Sequence, residues 1–139
     1  MPDGNTENSR QYPISVIMAD IDGLKDINDT FGHSTGDQVL VNLANLFSDV
    51  FRHEDIVSRL GGDEFVILLP NTDASTTKKI IKRIKKQNIA YNKRHMDLPI
   101  SFSMGISTAK QGESIEGHLK NADNLMYEEK RTKKRKIKT

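Results

Sequence analysis

Residues 55–60 and 64–69 are two short β-type runs separated only by Gly61, Gly62 and Asp63. So short a link lets the two runs pair only as an antiparallel hairpin, because a parallel return needs a crossover of a dozen residues or more. The remaining elements must be arranged around that hairpin. The turn is also chemically odd. A hairpin tip needs small or turn-forming residues, and this one places two acids, Asp63 and Glu64, directly after its glycines.

The flanking segments alternate between strand and helix character. The run ISVIMADID, 14–22, reads as a buried strand, and Asp20 and Asp22, two apart, point to one side near its end. Residues 23–33 predict a short helix stopped at Gly32. Over 34–51, Val39, Leu40, Leu43, Leu46, Phe47, Val50 and Phe51 recur at helical spacing, so one face is buried. A basic amphipathic helix is expected over 76–94, with Ile80, Ile84 and Tyr91 inward, then a strand over 99–108 and a last helix over 114–135. The order βααββαβα does not suit a doubly wound parallel sheet. It predicts an α+β, ferredoxin-like domain with a central antiparallel sheet and flanking helices. One sheet face is expected to be covered by helices, leaving the strand ends and the hairpin tip free for a ligand.

With 139 residues the chain suffices for one domain, expected over 14–135. Residues 1–13 read as a disordered or truncated boundary, and 136–139 as a basic tail. There is no cysteine, which excludes disulfides and thiolate metal sites. No apolar run approaches the ~20 residues of a membrane span, and the N-terminus lacks the pattern of a secretory signal. A soluble, cytoplasmic domain without a membrane segment is therefore expected. The stretch 130–139 carries seven of the 21 basic residues and no acid, which leaves the rest of the chain net acidic. A basic end on an acidic body favours phosphates or other polyanions. A nucleic-acid binder would need aromatics interleaved with its charges, and that reading accounts for none of the carboxylates.

If the strand ending at Asp20 and Asp22 neighbours the hairpin, three or four carboxylates converge with Asp63 and Glu64. Unpaired, they would repel one another and resist ionisation. A divalent cation resolves this, and a site offering only oxygen ligands selects Mg²⁺ or Mn²⁺. The stretch from Asp22 to Lys25 opens a helix, so free backbone N–H groups, the helix dipole and the Lys25 ammonium are available to a phosphate. Asp22 can also be read as no more than a helix N-cap. The two glycines would let a bulky ligand lie against the turn.

In these motifs the chain resembles the GGDEF domain, the diguanylate cyclase module of bacteria. The resemblance rests on Gly61 to Phe65 (GGDEF), ADIDGLKDINDTFGHSTGDQVL (19–40), SMGIS (103–107) and ADNLMYEEK (122–130). It implies a nucleotidyl-cyclase-like fold and condensation of two GTP into cyclic di-GMP with release of two pyrophosphates, by a homodimer in which each subunit holds one GTP. It implies metal binding by Asp20, the Ile21 carbonyl, Asp63 and Glu64. Asp63 and Glu64 are the catalytic pair, Glu64 serving as a second metal position or as the base. Gly23, Leu24 and Lys25, with Lys130 and Lys134, would hold the phosphates. Gly62 would lie against the nucleotide, and Asn28 and Asp37 would read guanine.

Arg52 and Asp55 form R-x-x-D, separated from Gly61 by five residues. This resembles the family's inhibitory product site for cyclic di-GMP, with Arg83 placed to help. Alone, such a pair is an ordinary surface ion pair. The chain departs from the family pattern at Lys133 and Lys134, where a Gly-Arg pair is usual, at Leu24, where Phe is common, and in lacking a full segment before the first strand. It is therefore expected to be part of a larger sensor protein. A regulatory module that binds GTP or cyclic di-GMP with little turnover is the alternative, although intact Asp63 and Glu64 argue against it.

Overall fold

The structure of the protein, a computed structural model, describes residues 11–138. Most of the expected boundary segment 1–13, and Thr139, lie outside the described residues. The elements are β1 (Ile14–Ile21), α1 (Leu24–Phe31), α2 (His33–Val50), β2 (Ile56–Arg59), β3 (Glu64–Leu69), α3 (Ala74–Arg94), β4 (Phe102–Ala109) and α4 (Ile115–Lys138). The four strands form one antiparallel sheet in the order β2-β3-β1-β4. β1 is central, pairing Asp20 with Glu64 on one side and with Ser103 on the other. α4 continues through Lys138, so 136–138 extend the last helix.

Alternation along the strands sorts the side chains onto two faces. Ile17, Ala19 and Ile21 join Phe65, Ile67 and Phe102 under Val39, Leu43 and Phe47 of α2 and Ile84 of α3. Phe47 makes edge contacts with Phe65 and Phe102 at ring separations of 5.5 and 6.1 Å. Val16 and Met18 face the other way, against Ala122 and Met126 of α4. Both sheet faces therefore carry helices, which corrects the expectation of a single covered face. α4 lies so close to β4 that a Cβ at Gly105 would sit 1.9 Å from the Ala122 carbonyl oxygen. A glycine at 105 is what admits the helix.

Two element starts differ from the sequence reading for identifiable reasons. β4 begins at Phe102 rather than 99, because Ile100 spends its backbone groups on the side chains of Asn92 and Asn88 instead of the ladder. α3 begins at Ala74, with the Asp73 carboxylate accepting the Thr76 N–H at 2.7 Å as an N-cap. Among the described residues no helix is long and apolar enough to cross a membrane.

Candidate functional site

The site forms where β1 ends beside the hairpin tip. Pairing runs one residue beyond β3, with the Ile21 N–H donating to the Asp63 carbonyl at 3.0 Å. The Leu60 N–H donates to the Glu64 carbonyl at 2.8 Å and closes the hairpin. Arg59 braces the tip: its Nε donates to the Gly61 carbonyl at 2.9 Å and its Nη2 to that of Gly62 at 3.0 Å. Neither Gly61 nor Gly62 has a positive φ, and a Cβ on either would meet nothing within 4 Å. The fold itself does not demand glycine there.

Asp20 is 4% exposed. Its Oδ2 lies 3.0 Å from Lys130 Nζ, while its Oδ1 is buried without a partner. Burial raises its pKa to about 6, and the neighbouring Asp63 carboxyl adds to the rise against the opposing pull of Lys130. Asp22 behaves oppositely. Burial disfavours its charge, but Lys133 and the hydroxyls of Ser101 and Ser103 outweigh that and hold its pKa below the usual carboxylate value. Asp22 does not cap α1. The N-cap is Gly23, at φ 71°, with no side-chain cap bond.

The expected convergence of three or four carboxylates is not found. Among the described residues no group of three or more His, Asp or Glu side chains gathers closely enough to hold a metal. Asp63 stands close enough to raise the Asp20 pKa, whereas Asp22 is bonded by Lys133 of α4 and by Ser101 and Ser103. Glu64, partly exposed, approaches the Tyr127 hydroxyl at 3.4 Å, and its charge is the main reason the Tyr127 pKa is raised. The residues still fit a hard cation. Two carboxylates with a free oxygen suffice for Mg²⁺ when waters and substrate phosphates complete its shell.

Lys25 is exposed in the first turn of α1 and Gly23 is exposed beside it, but the Leu24 side chain is buried in the core, so only its backbone can face a ligand. Lys130 is committed to Asp20, and Lys134 is exposed. Asn28 packs on Gly36, where a Cβ would be 1.7 Å from its Oδ1, and that oxygen is buried without a partner. Asp37 lines a cavity of about 480 Å³ with Leu40, Val41, Val57, Arg59 and Phe65. A larger cavity, about 860 Å³, lies at the opposite end of β1, around Pro13, Asp73 and Lys110, away from these groups.

Arg52 and Asp55 are joined by bonds of 2.8 and 3.2 Å, and the Arg52 N–H donates to the same carboxylate at 2.7 Å. The guanidinium also reaches the Pro70 carbonyl and Thr72, both at 2.9 Å. The Asp55 side chain is 1% exposed, so the pair is a brace at the end of α2 rather than a loose surface contact. A cavity of about 500 Å³ opens beside it, lined by Ser48, Phe51 and His53 among others. Arg83 is exposed on α3 and does not line that cavity. Arg59, Tyr127, Ser101, Ser103 and Lys133 were not singled out for these roles by sequence. The i, i+3 spacing of Lys130 and Lys133 was the one available signal.

Fold and site together define an α+β domain that gathers cations and carboxylates at one end of its sheet. Residues 4–136 match the family model described as diguanylate cyclase, GGDEF domain, and the chain belongs to that family. It is 33% identical over 138 residues to diguanylate cyclase A of Treponema denticola, covering 96% of this chain and 37% of that protein. The active GGEEF domain of a diguanylate cyclase from Vibrio cholerae superposes with a TM-score of 0.81 at 34% identity, covering 93% of this chain and 83% of that one. The GGDEF domain of DgcB from Caulobacter crescentus, solved in complex with c-di-GMP, gives 0.78 at 28% identity, covering 94% and 80%. The chain thus spans about a third of the length of the first of these relatives.

Proposed function

We propose that this domain condenses two GTP into cyclic di-GMP. Each 3′-hydroxyl forms a bond to the α-phosphorus of the facing nucleotide, and the bond to the departing pyrophosphate breaks. The observation that supports this most directly is the buried, unpartnered Oδ1 of Asp20 beside Asp63. A fully buried carboxylate oxygen with no donor is costly unless something arrives to meet it.

Asp20, Asp63 and the Ile21 carbonyl would hold Mg²⁺ or Mn²⁺, with Glu64 at a second metal position or as the base for the hydroxyl proton. Such an ion, when bound, lowers the pKa of the attacking hydroxyl and neutralises charge on the phosphates. The Gly23 to Lys25 backbone and Lys25 receive the terminal phosphates, joined by Lys134 and by Lys130 once it leaves Asp20. Gly61 and Gly62 leave the hairpin tip open to the nucleotide. Asn28 and Asp37 take the guanine edge, whose N1–H and N2 amine are donors that adenine does not present in that pattern. One subunit holds one GTP, so two subunits face each other about a two-fold axis.

Arg52 and Asp55, with Arg83, would bind the product and restrain the enzyme, and the remainder of a longer protein would supply the controlling signal. A GTP substrate places the domain in the cytoplasm. Incubation with GTP and Mg²⁺ is expected to yield cyclic di-GMP, with none in excess chelator and at least ~100-fold less from Glu64→Gln. Intact GTP in all three reactions contradicts the proposal.

A further inference from the structure

Lys130 and Lys133 project from one side of α4 onto two carboxylates that lie two residues apart on and just beyond β1. The distances are 3.0 Å to Asp20 and 2.9 Å to Asp22. Lys130 reaches a carboxylate with an empty oxygen. Lys133 reaches one whose two oxygens are both bonded, since Asp22 Oδ1 accepts from Ser103 and Oδ2 from both Ser101 and Lys133. The Lys133 ammonium is likewise engaged, donating to the Phe102 carbonyl and standing 3.6 Å from Glu129, which in turn faces Lys85 at 3.7 Å.

Asp22 is thus unlike its neighbour Asp20. Both of its oxygens are already engaged by side chains, and it does not cap α1. Its position explains its use. It lies one residue before Gly23, whose φ of 71° turns the chain from β1 into α1, and its own N–H donates to the Ser101 carbonyl at 2.8 Å. The first turn of α1 then closes by the Ile27 N–H onto the Gly23 carbonyl at 3.0 Å. The segment Gly23 to Lys25 therefore follows a residue tied to β4 by Ser103, to the residue just before β4 by Ser101, and to α4 by Lys133.

We infer that Lys133 is a positioning residue for triphosphate binding: through Asp22 it fixes the Gly23–Lys25 loop in the geometry that receives the phosphates, without touching them itself. This rests on the proposed GTP site and assigns that site a support on α4. Because the loop is held before substrate arrives, the contact acts on affinity rather than on the chemical step.

The test has two arms. In the nucleotide-free protein, amide exchange at Asp22 and Ile27 is expected to quicken ~10-fold or more in Lys133→Met, while Ile17 and Ile67 in the sheet centre keep their protection. In steady-state assays Lys133→Met raises KM for GTP about 10-fold with kcat within about 2-fold, and Lys133→Arg recovers most of the loss, a hydrogen bond to a charged group being worth about that factor. Asp22→Asn also raises KM, and the double variant is no worse than the poorer single one. Unchanged exchange at Asp22 and Ile27, or unchanged KM in an active enzyme, overturns the inference. So does improved GTP binding in Asp22→Asn, which would mean that a released Lys133 binds phosphate directly. An inactive wild-type chain removes the GTP reading, whereas the exchange arm still reports whether Lys133 holds the loop.

Discussion

Asp20 and Glu64 stand opposite each other in the β1–β3 ladder, yet their carboxylates part, Asp20 turning to Lys130 at 3.0 Å and Glu64 to the Tyr127 hydroxyl at 3.4 Å. Asp20 carries the consequence for pH. Its pKa rises from 3.8 to about 6 on folding, so between those values the folded chain keeps a proton that the unfolded chain has lost. Without metal, this group's contribution to stability is intact below pH 3.8 and is lost as pH rises through about 6. Urea midpoints measured from pH 4 to 8 should show Asp20→Asn gaining on the wild type by ~1–3 kcal/mol at the upper end. Asp22, whose pKa is lowered, has the opposite sign. Its contribution is present above the ordinary carboxylate value and fades as pH falls, so Asp22→Asn loses stability at neutral pH.

Gly105 sets how closely α4 approaches the sheet. An added Cβ would lie 1.9 Å from the Ala122 oxygen and 2.5 Å from the Met126 nitrogen, both backbone atoms that cannot swing aside. Gly105→Ala is expected to cost ~3 kcal/mol or more, read as a fall in denaturant midpoint. Because α4 also carries Lys130 and Lys133, activity should fall with it.

Arg59 holds both glycine carbonyls of the turn at 2.9 and 3.0 Å. It is exposed, so its loss should hardly alter global stability. Arg59→Ala should shift Tm by no more than ~3 °C but reduce turnover ~10-fold, because the tip that positions Asp63 and Glu64 is no longer braced.

Arg52 has two tasks that one substitution disturbs together. Removing its side chain leaves the Asp55 carboxylate, 1% exposed, with the backbone N–H of residue 52 but no neutralising cation, and breaks the contacts to Pro70 and Thr72. Arg52→Ala should lower stability by ~2 kcal/mol and abolish inhibition by added cyclic di-GMP at concentrations that slow the wild type. Retained inhibition in a folded variant would place the product elsewhere.

Much of the fold was legible because local pattern decided it. The Gly61-Gly62 link required a hairpin, and the apolar spacing from Val39 to Phe47 required a buried helix face. That the last helix covers the second sheet face was not legible, since its fully buried contact is made by Ala122 and Met126 alone, against Val16, Met18 and Gly105, too sparse a stripe to announce burial. Within the site, Asp20 and Asp63 could be paired from topology alone. The partners of Asp22 could not, because Ser101, Ser103 and Lys133 lie 79 to 111 residues away in sequence and meet it only through the registers of β4 and α4. The crowding expected of four acids was relieved by lysines instead, a solution invisible without the helix's rotation about its axis.

The central claim is that Asp20 and Asp63 gather a divalent cation on which the nucleotide docks. Titration of Mn²⁺, followed by its electron paramagnetic resonance signal in the presence of a non-reactive GTP analogue, tests this directly. The account predicts saturable binding to the wild type, weakened at least ~10-fold in Asp20→Asn and in Asp63→Asn while both remain folded. Equal Mn²⁺ affinity in all three proteins would contradict it.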